Sequence, residues 1–195
     1  MTVAQREEAP RRHYTLEEYF ALEKLGEARY EYWDGDIVCM SGGLKGHAYT
    51  AENVFFHLRS LLAKGGCRAF SSETPIKTPL LPPYRYPDAA AACGKPIYEK
   101  INGIDVLTNP TLVVEVLSRS SELKDRNSKK AAYQELPSVL QYLLISQLEP
   151  HLTLFTRLGN TWQRQDFSDL QGCVPLVSIH CELNLQDVYE GVEFE

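Results

Sequence analysis

The sequence predicts an α/β domain built on a mixed β-sheet, and three features carry that prediction. Leu112, Val113, Val114, Val116 and Leu117 surround a single charge, Glu115, which is the pattern of a central strand covered on both faces. Between Lys45 and Lys64 the residues Ala51, Val54, Phe55, Leu58, Leu61 and Leu62 recur at helical spacing, and Gly65-Gly66 closes the segment. Tyr30 to Trp33 and Asp36 to Met40 flank Asp34-Gly35, the commonest two-residue hairpin signal.

Along the chain, residues 1–13 are expected to be a flexible N-terminal segment. Met1 to Arg12 is polar, carries Arg6, Glu7, Glu8, Arg11 and Arg12, and lacks the apolar core of an export signal. Residues 14–195 are expected to form one domain, since they hold no repeat, low-complexity tract or long linker. Thr15 opens a short amphipathic helix to Lys24, with Glu17 and Glu18 in its first turn and Gly26 beyond its end. Ser41-Gly42-Gly43 breaks the sheet before the long helix. Cys67 to Ser72 and Thr74 to Thr78 read as strands, followed by a proline-rich loop from Pro79 to Arg85. The alanines of Ala89 to Cys93 favour a helix by propensity. The run is short, however, follows Pro87 and is bounded by Gly94 and Pro96, so a buried strand is expected. Asp125 to Leu136 reads as a helix stopped at Pro137, Gln141 to Ile145 as a core strand, and Leu152 to Thr156 with Thr161 to Phe167 as a hairpin. Val174 to Leu185 reads as one more strand, with a short helix near Gln186 to Tyr189.

The 195 residues are 44% apolar, 24% charged and 10% aromatic, which excludes disorder, collagen and coiled coil. Apolar runs reach about five residues against the roughly 18 that crossing a bilayer takes, so no membrane partner is expected. Twenty basic against 26 acidic residues give a net charge of −6, so nucleic acid has to be met by a local basic patch rather than by the whole surface. Cys39, Cys67, Cys93, Cys173 and Cys181 form no C-x-x-C pair and no zinc-ligand spacing. Reduced thiols in a cytoplasmic protein are expected.

Glu115 poses the chemical question, because an ionised carboxylate inside an apolar strand costs several kcal/mol unless it is paired or bound to metal. Val113, Glu115 and Leu117 share one strand face. Asp88 stands at the start of the preceding apolar strand, immediately after Pro87. If the two strands are neighbours, two carboxylates meet at the end of a sheet, which is how hard oxygen ligands are offered to Mg²⁺. The competing reading, in which Asp88 caps a loop and Glu115 meets an arginine, stands equally well on spacing alone. Beyond Glu115 lies the dense basic stretch Ser118 to Lys130, with Arg119, Lys124, Arg126, Lys129 and Lys130. As a solvated helix start it holds Asp125 and Lys129 as an i, i+4 pair worth ~0.3 kcal/mol. In the functional reading its cations face a phosphate, with Arg119, Lys124, Arg126 and Lys130 as the nucleic-acid contacts. His47 lies seven residues before Val54 and opens the apolar face of the long helix. It is either a core histidine or a residue that orients a ligand or phosphate. Glu31, in an aromatic strand, either joins the carboxylates or is an edge-strand charge.

Together these pieces resemble a known family. Tyr86-Pro87-Asp88 before a small apolar strand, Pro110-Thr-Leu-Val-Val-Glu115-Val-Leu-Ser118 and Asp125-x-x-x-Lys129-x-x-x-Tyr133 look like the Uma-two family of restriction-endonuclease-like proteins. Tyr30-Glu31, Asp34-Gly35 and His47 extend the resemblance, which runs from about Tyr14 to Tyr189. It implies a restriction-endonuclease-like core of the PD-(D/E)XK nuclease superfamily: a mixed sheet flanked by helices that cuts phosphodiester bonds in DNA with Mg²⁺, or with Mn²⁺ in its place. It implies Asp88 and Glu115 as metal ligands, and it raises His47 and Glu31 as further members of the site. The usual motif carries a lysine two residues after the glutamate, where Leu117 stands here. In the resembling family the cation is thought to come from the next helix, where Lys129 matches, whereas Lys130 points about 100° away. Leu143 and Ser146 stand where family members commonly carry a tryptophan and an acid. A homodimer is expected by analogy with nucleases that cut two strands with two subunits. Two other readings stay open: a catalytically silent nucleic-acid-binding or assembly protein that keeps the fold, and a hydrolase of small phosphate esters.

Overall fold

A computed structural model describes residues 12–26, 28–40, 44–118, 122 and 125–194. The chain divides into two compact units after residue 42. In the first, α1 (Leu16–Leu25) starts at a capping box in which the Glu18 amide donates to the Thr15 hydroxyl and the Thr15 amide to the Glu18 carboxylate. Gly26 ends the helix at φ 67°. β1 (Tyr30–Trp33) and β2 (Asp36–Cys39) pair antiparallel as expected, with Asp34 at φ 44° and Gly35 at φ 91° making the two-residue turn. The Tyr30 amide donates to Glu23 Oε1 at 2.8 Å, which ties the hairpin to α1.

The second unit begins with α2 (Lys45–Leu61) and continues through β3 (Cys67–Ser71), β4 (Ile76–Lys77), β5 (Tyr84–Arg85), β6 (Ala89–Cys93), β7 (Tyr98–Ile101), β8 (Ile104–Leu107) and β9 (Leu112–Leu117). A π-helical turn, Asp125–Lys129, runs into α3 (Lys130–Gln134). β10 (Gln141–Ser146), β11 (Leu152–Leu158), β12 (Thr161–Phe167), β13 (Cys173–Leu176), β14 (Cys181–Asn184) and α4 (Leu185–Val188) complete the unit. The main sheet runs β12-β11-β10-β9-β6-β3, parallel between β9 and β10 and antiparallel elsewhere. A smaller sheet, β5-β4-β8-β7, lies beside it in sequence.

β9 is buried along its whole length, and alternation sends its side chains into two cores. Val114 and Val116 pack with Val54 and Leu58 of α2 and with Val174, Leu183 and Val188 of the C-terminal segment. Val113 and Leu117 pack with Phe70, Ile76, Tyr133 and Tyr142 on the opposite face. Ala89 to Ala92 form the buried strand expected of them, between β3 and β9, with every alanine at most 1% exposed. Their helix propensity, a few tenths of a kcal/mol per residue, yields to pairing on both sides and cover on both faces.

Several features depart from the sequence reading, among them β5, which pairs antiparallel with β4 inside the segment expected to be a loop. β7 and β8 form an unforeseen hairpin whose turn, Asn102-Gly103, takes φ 50° and 91°. The single strand expected from Val174 to Leu185 is two strands folded back through a 3₁₀ turn (Val177–Ile179) and His180, which adopts φ 57°. Cys67 and Cys93 stand directly opposite each other in the β3–β6 ladder and form a disulfide, which corrects the expectation that all thiols are reduced. Cys39, Cys173 and Cys181 are not in disulfides. No helix among the described residues is long and apolar enough to cross a membrane.

The β11–β12 ribbon carries a polar network on Asp166. Arg164 donates to both carboxylate oxygens at 2.9 Å, the Thr153 hydroxyl donates at 2.7 Å, and His151 Nε2 lies 3.1 Å away. The Arg164 hydrogen bond outweighs the penalty of partial burial and, with Thr153 and His151, draws the Asp166 pKa from 3.8 to about 2. A carboxyl depressed in the folded state contributes stability above its unfolded pKa and loses it as pH falls through the folded value. Asp166 is 38% exposed, so screening holds the contribution to about 1 kcal/mol or less. Asp166→Asn is expected to lower the urea midpoint at about pH 6, with the gap to the wild type closing between about pH 4 and about pH 2. Coincident curves at the higher pH would show that the network does not stabilise the fold.

Candidate functional site at the end of the central strand

The antiparallel ladder of β6 and β9 ends with Ala89 opposite Val114, and the next residues on the two strands are Asp88 and Glu115. Where a backbone carbonyl would continue the ladder, the Asp88 carboxylate takes over: Val116 N–H donates to Asp88 Oδ2 at 2.6 Å. From the first turn of α2, His47 Nε2 comes within 3.6 Å of the same oxygen. Burial disfavours charge on the His47 ring, but the neighbouring Asp88 carboxylate outweighs it, the Val116 backbone and Asp125 add to it, and the pKa is raised. The sequence reading had placed His47 inward at the start of the helix without naming its partner.

Glu115 meets Lys129. Lys129 Nζ lies 3.1 Å from Glu115 Oε2 and 3.0 Å from Asp125 Oδ1, and the three residues are 4%, 2% and 1% exposed respectively. The i, i+4 pair of Asp125 and Lys129 is therefore no solvated helix pair of a few tenths of a kcal/mol; it is shut inside the protein. The turn that carries it is π-helical, a distortion that recurs at functional sites. Tyr142, on β10, donates its hydroxyl to the Asp125 carbonyl at 3.0 Å and so fixes the turn from the sheet side. Burial first, then the charges of Glu115 and Asp125, push the Tyr142 phenol well above its ordinary pKa, which keeps it a neutral donor.

The remaining predicted residues are placed as follows. Leu117, where the usual motif has its lysine, is buried in the core with Val113 and Tyr133. Lys130 Nζ sits 4.5 Å above the Phe155 ring, and Arg126 Nε donates to Glu122 at 2.8 Å. Arg119 and Lys124 lie outside the described residues. Glu31 belongs to the first unit, where the Trp33 indole N–H donates to it at 3.0 Å. Asp125 and Tyr142 were not singled out for the site by sequence. Their signals, an acid four residues before Lys129 and a phenol on the strand after it, are too common to stand out.

The donor set at the strand end consists of oxygens. Two carboxylates on adjacent strand ends fit Mg²⁺, which is commonly held by one or two carboxylates and keeps several of its own waters. Among the described residues no three His, Cys, Asp or Glu side chains gather as a metal cage. Asp88 and Glu115 are the residues that would hold the ion.

The buried charges carry a stability prediction. Lys129→Met removes the buried ammonium that lies between two carboxylates and is expected to cost about 3 kcal/mol or more at neutral pH. A carboxyl left in that position has its folded pKa raised, so its neutral form is the one that favours folding. Stability of the variant is therefore expected to rise as pH drops through that raised pKa, opposite in sign to the Asp166 case. Adding Glu115→Gln is expected to return part of the loss. Urea unfolding measures all three; a Lys129→Met protein within about 0.5 kcal/mol of wild type would show that the pair is not needed for the fold.

A family model described as "Putative restriction endonuclease" (Uma2) matches residues 16–186. "Uncharacterized protein slr1290" of Synechocystis sp. is 32% identical over 198 residues, covering 98% of this chain and all of its own. "Uncharacterized protein sll1609" of the same organism is 27% identical over 146 residues, 75% of this chain and 82% of its own. Among solved structures, one titled as "a putative nuclease belonging to DUF820" from Anabaena variabilis superposes with a TM-score of 0.66 at 17% identity, covering 86% of this chain and 93% of that one. At that identity the likeness speaks for the fold alone, a mixed sheet flanked by helices. With the family model spanning nearly the whole chain, the protein belongs to the Uma2 family, whose description is of the nuclease class.

Proposed function

We propose that the protein is a Mg²⁺-dependent DNA endonuclease that hydrolyses phosphodiester bonds. The observation that carries the reading is the meeting, at the ends of β6 and β9, of Asp88 beside His47 and of Glu115 beside Lys129. Asp88 and Glu115 would hold the metal ion. Bound there, Mg²⁺ or Mn²⁺ supplies an acidified water and neutralises phosphate charge. The chain's own residues do the rest. The Val116 amide fixes one oxygen of Asp88. Lys129 orients Glu115, is itself held by Asp125, and brings a positive charge to where negative charge develops at phosphorus. His47, whose raised pKa favours the protonated ring, adds a donor on the Asp88 side. With a net charge of −6, approach of DNA rests on the local cations Arg119, Lys124, Arg126 and Lys130.

One observation favours a second reading, the silent nucleic-acid-binding or assembly protein. Glu115 is 2% exposed and already engaged by a lysine. Incubation of the protein with plasmid and linear DNA in Mg²⁺, in Mn²⁺ and in EDTA separates the two. Cleavage is expected with either metal and not with EDTA. Asp88→Asn keeps an acceptor for the Val116 amide, so it is expected to lose at least ~100-fold in rate with little change in melting temperature. DNA binding without cleavage in either metal would establish the silent reading.

The phosphate contacts are tested separately, by titrating DNA at several salt concentrations. Charge reversal at Arg119, Lys124 and Arg126 together is expected to weaken binding alike for unrelated sequences and to flatten the salt dependence, because each lost phosphate contact is one less counterion released. An unchanged slope would mean that this stretch does not meet DNA.

A further inference from the structure

Beside the candidate site, a cleft of about 230 Å³ opens between the first turn of α2, the loop after β10 and the segment after α4. Leu44, Leu148 and Val192 form apolar walls, and the Tyr49 ring, 40% exposed, stands among them. Lys45 Nζ lies 5.3 Å from the Tyr49 ring centre and 3.6 Å from Glu193, so a cation and an aromatic face meet at the rim. Gln147 lines the cleft as well, is only 5% exposed, and neither its amide nitrogen nor its amide oxygen has a hydrogen-bond partner. A buried amide with donor and acceptor both unmade is costly for a fold, and such a group calls for a ligand that presents one acceptor and one donor side by side.

A second feature points the same way. α2 is 17 residues long, and its N-cap, Leu44, makes no side-chain cap; no acidic residue lies in its first turn. Its amides and the positive end of its dipole therefore suit an anion. His47, in that same turn, reaches Asp88. The close approach of the two walls is visible at Gly46, where a Cβ would lie 3.7 Å from the Gln147 carbonyl oxygen. The volume is below the roughly 300–1,000 Å³ of sites for drug-sized molecules, which leaves room for one flat ring system and not for a whole nucleotide.

We infer that this cleft takes an unstacked nucleobase of the strand whose phosphate sits at the N-terminus of α2, with Tyr49 as the stacking face and the Gln147 amide reading the base edge. Adenine is the base assigned, as the characteristic bidentate partner of a glutamine amide through N6–H and N7. Gln147 has three rotatable bonds to turn its amide toward the ligand, and a base bound there would end its isolation. The inference rests on the nuclease reading for the identity of the ligand, and it assigns that reading a base preference next to the bond cut.

Binding of fluorescently labelled single-stranded dA, dC and dT octamers to the full chain in EDTA tests it without cleavage. The dA octamer is expected to bind about tenfold tighter than the others. Gln147→Leu is expected to abolish that preference, bringing dA binding to the level of dC and dT. Tyr49→Ala is expected to weaken all three, because stacking is blind to base identity. Equal affinity of the wild type for all octamers, which needs no variant and hence no folding control, would overturn the inference, as would a dA preference that survives Gln147→Leu. DNA cut without base preference would sink the cleft assignment and leave the nuclease reading standing. A Gln147-dependent dA preference in a protein that never cuts would do the reverse.

Discussion

The architecture turns on the need to neutralise one charge in the middle of a sheet. Glu115 sits on a strand that is buried on both faces, and it is tolerated there because Lys129 meets it at 3.1 Å. The source of the lysine follows from topology. β9 and β10 are parallel, and parallel neighbours must be joined by a crossover that packs back on the sheet. That crossover contains the π-helical turn and α3, so one segment both covers the Val113 and Leu117 face and delivers the cation. Asp125 and the Tyr142 hydroxyl then hold the turn at the depth at which the ammonium reaches the carboxylate. A lysine at position 117 would have arrived from the strand itself, and the leucine there leaves that volume to the core.

The second carboxylate is handled by other means. Asp88 lies where the β6–β9 ladder runs out, so a backbone amide, Val116 N–H, is available to it. It needs no buried cation, and its neighbour His47 is one that can carry or lose charge. The two carboxylates thus differ in kind. Glu115 is locked by an ion pair from the α3 side, and Asp88 is held by the backbone and flanked by a histidine from the α2 side. α2 and the π-helical turn each bring one group that can carry positive charge to the same strand ends.

What was legible in the sequence was whatever carries a local cost. Glu115 stood out because a charge in an apolar strand must be answered, Asp34-Gly35 because few residues take positive φ in succession, and the alanine strand because punctuation bounded it. The β7–β8 hairpin escaped although Asn102-Gly103 is as strong a turn signal as Asp34-Gly35. Its strands, Tyr98–Ile101 and Ile104–Leu107, are short and carry Glu99, Lys100 and Asp105, so no apolar run drew attention to the turn between them. The reversal at His180 had no glycine to mark it. The Cys67–Cys93 bond depends on the register of two strands 26 residues apart, which no local pattern encodes. For the site, the sequence supplied Asp88, Glu115 and Lys129 as members but not the burial of Asp125, because an i, i+4 pair reads alike whether water or a core surrounds it.

The same ion pair sets the terms on which the protein acts or stays silent. A lysine that only neutralises Glu115 can be bound as tightly as packing allows, and a hydrophobic replacement of the whole set would serve the fold about as well. A lysine that also serves chemistry must leave part of its charge for a phosphate, and Glu115 must leave lone pairs for a metal. Lys129 has three N–H donors and Glu115 two oxygens, and their contact uses one oxygen, Oε2. Asp125 draws the ammonium from the other side, so its charge is shared between two carboxylates instead of being spent on Glu115 alone. In the proposed nuclease, where Glu115 would hold a cation and Lys129 would meet an anion, Asp125 would supply the restraint that keeps the lysine in place while Glu115 engages its ligand.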